Sequence, residues 1–471
     1  MSSRKAMIIV IGLAVLATVV WAADTTPRDL AEPAPGVPTA PALTRPAITV
    51  LPFADNSPAG STVPPPPGTA FKPEDPMPWL ADGIPALMEL ALERSGAVNI
   101  VQRVDFAVVL KQRRDLDLAA AVPAEVIVDV GKRAGATHTV FGSFKKDKLA
   151  LTFTVVVKRV EGDLVAQKDF TGQIGDVFKL ANEAAQFVLA STGASGGANL
   201  IPRDPTSSLD AFMAFSRGAG RYYMGERENF FMQASDKDPK FAEAFLESAE
   251  AYRMENNYEQ ARADYERARA LADYYPSAPA GLALIARKLD PANVDGPVAL
   301  LNEALSMDPS YAPAYAGLGT LYFSAAKNPD GKYDAAKLDQ AKQAQEKFVS
   351  LWPENKDGYY ALANTLWIVG KDSPQWKTIL QDAVANYKKA LAIDPDFGPA
   401  HYNVASVYRI FEDVDNSGYH YIRYIELNPD ADKNRDIVDT VDAWLPKFKD
   451  PAIKAQVEAG IKAWREKHPA P

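Results

Sequence analysis

The sequence contains no cysteine. No disulfide can brace the fold, no thiolate can bind metal, and no lipid can be attached to an N-terminal cysteine, which excludes a bacterial lipoprotein. Histidine is scarce: His138, His401, His420 and His468 are the four present, and none forms a metal-binding spacing such as H-E-x-x-H. His401 and His420 can face one another across a helical hairpin, where packing accounts for them without a ligand. Basic charge is outnumbered, with 51 Lys and Arg against 60 Asp and Glu and a formal charge of -9. That balance argues against nucleic acid as a partner.

What the chain does have is a ruler of prolines. Pro239, Pro276, Pro309, Pro353, Pro395 and Pro429 fall 37, 33, 44, 42 and 34 residues apart, each closing a helical pattern rich in alanine and aromatics. A period in that range means stacked helical hairpins, and a solenoid of them offers an extended concave face for holding other molecules. The 471 residues, 47% hydrophobic and 24% charged, also leave room for at least one further folded domain.

Residues 1–22 carry Arg4 and Lys5, an apolar run over 6–20 and Val20-Trp21-Ala22. They read as a secretory signal cut after Ala22, with an uncleaved N-terminal anchor as the alternative. Either way the body of the chain is expected outside the cytoplasm: periplasmic, or anchored to the inner membrane with the body in the periplasm. Residues 23–46, rich in proline, form a tether. From Ala47 the pattern alternates strands and helices: strands at 47–53, 99–102, 137–145, 149–158 and 164–170, and helices around 84–92, 104–113, 123–133 and 177–188. Leu149, Leu151, Phe153, Val155 and Val157 mark the better buried face of the fourth strand. Glu161-Gly162-Asp163 is a hairpin turn.

The Pro52-Phe53 pair after the first strand, Leu80-Ala81-Asp82-Gly83 at the first helix and the strand Gly135-Ala136-Thr137-His138-Thr139-Val140-Phe141-Gly142-Ser143 resemble the TolB amino-terminal-like domain, related to exported modules of the FlgO and CsgG type. The resemblance covers 47–192. A stretch at 57–78, with prolines at 64 to 67, is longer than that family has there, so contacts made by that loop do not carry over. Residues 193–207 read as a linker.

In 208–429, Ala242, Phe245, Ala249, Tyr252, Tyr258, Ala261, Tyr265 and Ala268 stand at positions 1, 4, 8, 11, 17, 20, 24 and 27 of a repeat that is similar to the tetratricopeptide repeat. About six units are expected, with inserted loops at Asn328-Pro329-Asp330-Gly331 and Lys371-Asp372-Ser373-Pro374. The unit near 278 is degenerate, with Gly281 and Lys288 where aromatics would sit, and the first unit keeps only its second helix well. Helices in 430–471 would cap the end. The fold class is therefore an α+β domain with a small mixed sheet, followed by an all-α tetratricopeptide solenoid.

The resemblance implies a groove lined by first-helix positions, which here are Leu246, Arg253, Phe323, Tyr360, Asn364, Trp367, Tyr402 and Arg409. Aromatics and arginines on an open face are the residues that anchor interfaces, although several of these could simply pack between hairpins. Catalytic patterns fail on context. Gly193-Ala194-Ser195-Gly196-Gly197 spells G-x-S-x-G but follows a helix into a linker, where a nucleophile elbow needs a strand before it. Asp413, Asp415 and Gly418 imitate a calcium loop whose twelfth position is Tyr424, which supplies no carboxylate. The expectation is a non-enzymatic envelope scaffold, without cofactor or metal, that takes a peptide or helix of a protein partner in its groove and docks or self-associates through the α/β domain. The alternative is a ligand-binding envelope sensor with the repeats as relay.

Overall fold

The computed structural model describes residues 45–57, 77, 79–101, 124–194, 204–219, 227–371, 373–429 and 434–468. The expected signal segment, the expected tether up to residue 44, the helix expected at 104–113 and most of the expected linker lie outside them.

The first domain is built on a mixed sheet. Its strands are β1 (Ala47–Val50), β2 (Ala54–Asp55), β3 (Asn99–Ile100), β4 (His138–Asp147), β5 (Ala150–Arg159) and β6 (Leu164–Gln173), in the order β3-β1-β4-β5-β6 with β2 beside β4. β1 is parallel to both β3 and β4, whereas β4, β5 and β6 form an antiparallel meander. All of β1 is buried, as a central strand between parallel neighbours must be. It stops at Val50 because Pro52 has no N–H to give to a ladder.

Helices α1 (Leu80–Ser95), α2 (Ala124–Arg133) and α3 (Val177–Thr192) accompany the sheet. Pro85 sits inside α1 and cannot bond the carbonyl of Ala81; that oxygen accepts the Phe53 N–H instead, at 2.7 Å. The vacancy left by the proline thereby ties the end of β1 to α1. Gly96, at φ 58°, ends the helix in the left-handed conformation. In β5, Leu151, Phe153, Val155 and Val157 are buried as the alternation predicts. Leu149 is not: it lies in the tight turn between β4 and β5, 42% exposed, and its carbonyl accepts from Ile174.

Helices α4 (Leu209–Ala219) to α15 (Val414–Leu427) form six antiparallel hairpins. They are α4 with α5 (Arg227–Lys237), α6 (Ala242–Met254) with α7 (Tyr258–Leu271), and α8 (Ser277–Leu289) with α9 (Asp295–Met307). There follow α10 (Ala312–Ala325) with α11 (Ala335–Leu351), α12 (Lys356–Lys371) with α13 (Trp376–Ile393), and α14 (Gly398–Ile410) with α15. Ala249, Ala261 and Ala268 are buried where the paired helices approach, and Tyr265 fills the space between hairpins. The degenerate Gly281 now has a reason: a Cβ there would lie 2.2 Å from the Tyr265 ring, so the preceding repeat supplies the bulk. The first insertion is a small turn closed by a bridge between Lys327 and Tyr333, with Gly331 at φ 83°.

Both ends of the stack are covered. At the far end α16 (Asn434–Trp444) and α17 (Pro451–Lys467) close over α15 through Val438, Val441, Val457, Ile461 and Trp464. At the near end α1 and α3 of the first domain pack on α4: Trp79 and Phe178 meet Phe212 at ring distances of 5.5 and 5.1 Å. A Cβ on Gly83 would stand 2.3 Å from the Ser216 hydroxyl. Here the structure differs from the expectation that the first unit keeps only its second helix. Its first helix, α4, is present and well buried, and it lacks the repeat pattern because its outer face receives a different domain.

Candidate protein-binding face

First-helix residues three, four and seven apart share one side of each hairpin, so the eight groove positions divide by which hairpin carries them. In the second hairpin Leu246 is 4% exposed and belongs to the apolar cluster with Ala242, Ala249 and Tyr265. Arg253 lays its guanidinium on Glu250, with Nε and Nη2 at 2.9 and 2.7 Å from Oε2, and Glu250 also accepts the Tyr265 phenol. Glu250 beside it holds the Arg253 charge firmly in place. These two residues are occupied by their own hairpin. Phe323, on α10, is partly exposed.

The fifth and sixth hairpins gather the rest. Tyr360 packs edge-on to Phe397 at 5.2 Å and against Tyr387 at 6.0 Å. Asn364 accepts from the Tyr387 hydroxyl at 2.5 Å and from Asn403 Nδ2 at 2.8 Å, and the same amide reaches Tyr360 Oη at 3.1 Å. Burial pushes the Tyr360 and Tyr387 phenols above their ordinary range, so both stay protonated and able to donate. Trp367 follows on the same helix, partly exposed, with the Lys371 ammonium 5.5 Å from its ring and its indole N–H buried without an acceptor. Tyr402 leans on Tyr421 and Tyr424 at 5.7 and 5.1 Å. Arg409 is exposed at the end of α14. Tyr360 and Asn364 thus sit in one polar network, with Trp367 and Tyr402 on the helices that carry it.

The residues set aside in the sequence have structural duties. His401 and His420 do meet, Nδ1 to Nδ1 at 2.8 Å, with His401 Nε2 donating to the Pro395 carbonyl at 2.9 Å. Burial, then the neighbouring His401 and Lys388, pushes His420 down to about 3. Asp413 caps α15 through the Asn416 N–H, and Asp415 accepts from the backbone N–H groups of Lys449 and Asp450 just before α17, so both carboxylates of the calcium-like stretch have structural partners. Among the described residues no group of three or more His, Asp or Glu is placed to hold a metal ion. Of the G-x-S-x-G stretch, the residues from Ser195 on lie outside the described ones.

A second set of contacts was missed. The loops that join one hairpin to the next lie along one edge of the stack, and the first domain is seated on them. Arg45 forks onto Asp308 at 2.6 and 2.8 Å. Asn99 Nδ2 donates to the Leu351 carbonyl at 2.9 Å, Trp352 Nε1 to the Gly135 carbonyl at 2.7 Å, and Lys356 Nζ to the Arg133 carbonyl at 3.0 Å. Arg133 reaches Asp396 at 2.5 Å and Asp394 at 3.4 Å. Farther along, Tyr275 donates to Glu243, which faces Arg94 at 3.9 Å. A cavity of about 20 Å³ remains between α1 and the first two hairpins, lined by Glu89, Glu93 and Glu247 among others. Burial and the charges of Glu247 and Glu250 push the Glu93 carboxyl up to about 7. The sequence did hold a signal for this seat. Asp238, Asp308, Asp394 and Asn428 precede four of the ruler prolines, whereas Tyr275 and Trp352 precede the other two; of these six, Asp308, Trp352 and Asp394 bond the first domain directly.

No protein-family model matches the chain, and no curated protein matches it. Solved structures overlap it in part. A chain of the APC/C hetero-tetramer Cut9-Hcn1 is 16% identical over 56% of this chain and 49% of its own, with a TM-score of 0.41. TTC0263, described as a thermophilic TPR protein of Thermus thermophilus, is 19% identical over 43% of this chain and 98% of its own, with a TM-score of 0.32. YrrB, described as a TPR protein with an unusual peptide-binding site, is 17% identical over 42% and 93%, with a TM-score of 0.31. This chain spans about half the length of the first of these. Overlaps so partial carry no argument; the description of the stack as tetratricopeptide-like rests on its own hairpins.

Proposed function

We propose that this protein is a non-enzymatic scaffold that binds a protein partner through the first-helix face of its fifth and sixth hairpins. The observation that carries the reading is the cluster of Tyr360, Asn364, Asn403, Trp367 and Tyr402, in which partly exposed rings stand beside fixed amide and hydroxyl groups. Rings supply apolar contact area at low entropic cost, and fixed amides can bond the backbone of an extended peptide or the side chains of a helix. The second and first hairpins serve the chain itself, since Leu246 and Arg253 are engaged internally and α1 covers α4. The reading includes export to the periplasm behind the segment at 1–22, with the α/β domain free to meet a second envelope component on the surfaces that the stack leaves open.

A photo-crosslinking residue in place of Trp367, with a second placed at exposed Lys347 as control, tests the face in intact cells. Adducts specific to position 367, lost when Tyr402 is changed to alanine, support the face; identical adducts from both positions remove it. Mass spectrometry of the N-terminal peptide in the same experiment reports whether cleavage follows Ala22, and recovery from the cytoplasmic fraction alone would end the periplasmic part of the reading.

A further inference from the structure

We propose that the α/β domain is a latch that sets the pitch of the helical stack: fixed to the first hairpin by an apolar core, and fastened releasably to three successive loops farther along. The proposal does not depend on which molecule the stack binds. Its basis is the unlike chemistry of the two attachments. At the first hairpin the contact is continuous core, with Trp79, Phe178 and Phe212 in one cluster and Gly83 pressed on Ser216. At the loops ion pairs and hydrogen bonds surround a smaller apolar cluster.

The parallel strands β1, β3 and β4 all begin at the same end of the sheet, and that end meets the loops. Arg45, just before β1, takes the loop after α9 through Asp308. Asn99 in β3 and Gly135 before β4 take the loop after α11 through the Leu351 carbonyl and the Trp352 indole. Arg133, at the end of α2, takes the loop after α13 through Asp396 and Asp394, the latter 1% exposed and also 3.5 Å from Lys356. A buried apolar patch, Ala47, Val101 and Ala136 on Ala312, Phe348, Leu351 and Trp352, lies between the polar contacts. The ion pairs are partly buried, with the Arg45 and Arg133 side chains 19% and 20% exposed.

In a solenoid each repeat touches only its neighbours, so its curvature is the sum of small, soft rotations between repeats. A rigid sheet that holds three consecutive loops links repeats that are not neighbours and suppresses those rotations. Unfastening it frees the third to sixth hairpins to change pitch while the domain stays attached at the first. Because these ion pairs are partly buried, salt screens them only weakly, and the latch is released by mutation more readily than by ionic strength.

A chain without cysteine makes the test direct. Spin labels on Gln260→Cys in α7 and Lys447→Cys after α16 report the pitch, and labels on Asp163→Cys and Lys447→Cys report the position of the domain. In the otherwise unchanged protein, both pairs should give single narrow distance distributions. With Arg45→Gln, Arg133→Gln and Trp352→Phe combined, both should broaden about twofold or more while the helical circular dichroism is unchanged. A pitch distribution that stays narrow after the domain has moved overturns the proposal, and so does a domain that does not move at all. Should the triple variant lose helix, Arg133→Gln alone and Arg45→Gln with Arg133→Gln, without the change at Trp352, give the same readout. Constant widths in both variants would overturn it equally.

Discussion

Two residue positions set opposite pH dependences. The Glu93 carboxyl is raised by burial from 4.5 to about 7, so the folded chain holds that proton more tightly than the unfolded one. Its contribution is most favourable below pH 4.5 and is lost as pH rises toward 7, a cost on the order of 1–3 kcal/mol when complete. Glu93→Gln should therefore raise the thermal midpoint at pH 8 and leave it nearly unchanged at pH 4.5. Equal shifts at both values would show that Glu93 is not the group responsible. The histidine pair runs the other way. His420 is lowered to about 3, and burial lowers His401 as well, so both favour the fold above pH 6.5 and stop favouring it as pH falls. His420→Gln should flatten the loss of stability between pH 6.5 and 4, read from denaturant midpoints at each pH. The meeting of the two histidines was legible in the sequence, but the Glu93 effect was not, since Glu93 is one acidic residue among many. The charges that raise it come from α6, more than 150 residues on.

Local elements were the most legible part of the chain, because period and punctuation are properties of neighbouring residues. Alternation in β5 and the spacing of Ile84, Leu87, Met88 and Ala91 gave elements that the structure contains, and the prolines located the helical hairpins. Where the sequence misled, a distant partner decided: Leu149 bonds Ile174 from a turn, and α4 departs from the repeat pattern to receive α1. Glycine shows the same dependence. In β4 a Cβ on Gly142 would sit 1.9 Å from the Thr154 carbonyl, a backbone atom that cannot move without breaking the β4–β5 ladder. Gly142→Ala should cost about 2–4 kcal/mol, larger than a simple propensity change, and a midpoint within error of the parent in urea would contradict the packing. Of the groove positions, sequence could assign a face but not tell which members the chain keeps for itself, because Arg253 is committed by Glu250 and Tyr265 through tertiary contact.

At the scale of the whole molecule, the two ends of the stack are closed by different means, a separate domain at one and two helices, α16 and α17, at the other. Removing residues 451–471 would uncover Ile422, Tyr421 and Val438, which α17 now helps to bury. The truncated protein should elute as aggregate or higher oligomer in size-exclusion chromatography, since repeat arrays need polar terminal caps for solubility. A clean monomer with unchanged helicity would mean that α16 suffices. The seat of the first domain carries a further consequence, one of timing. Arg45 bonds Asp308 across 263 residues, and Arg133 bonds Asp396 across another 263. At a synthesis rate of about 5–20 residues per second, Arg45 waits roughly 20–70 s after leaving the ribosome tunnel before the last of the loops that seat its domain exists. The N-terminal domain is made first and completed last, so any chaperone that this chain needs during synthesis should act on the bare ends of β1, β3 and β4.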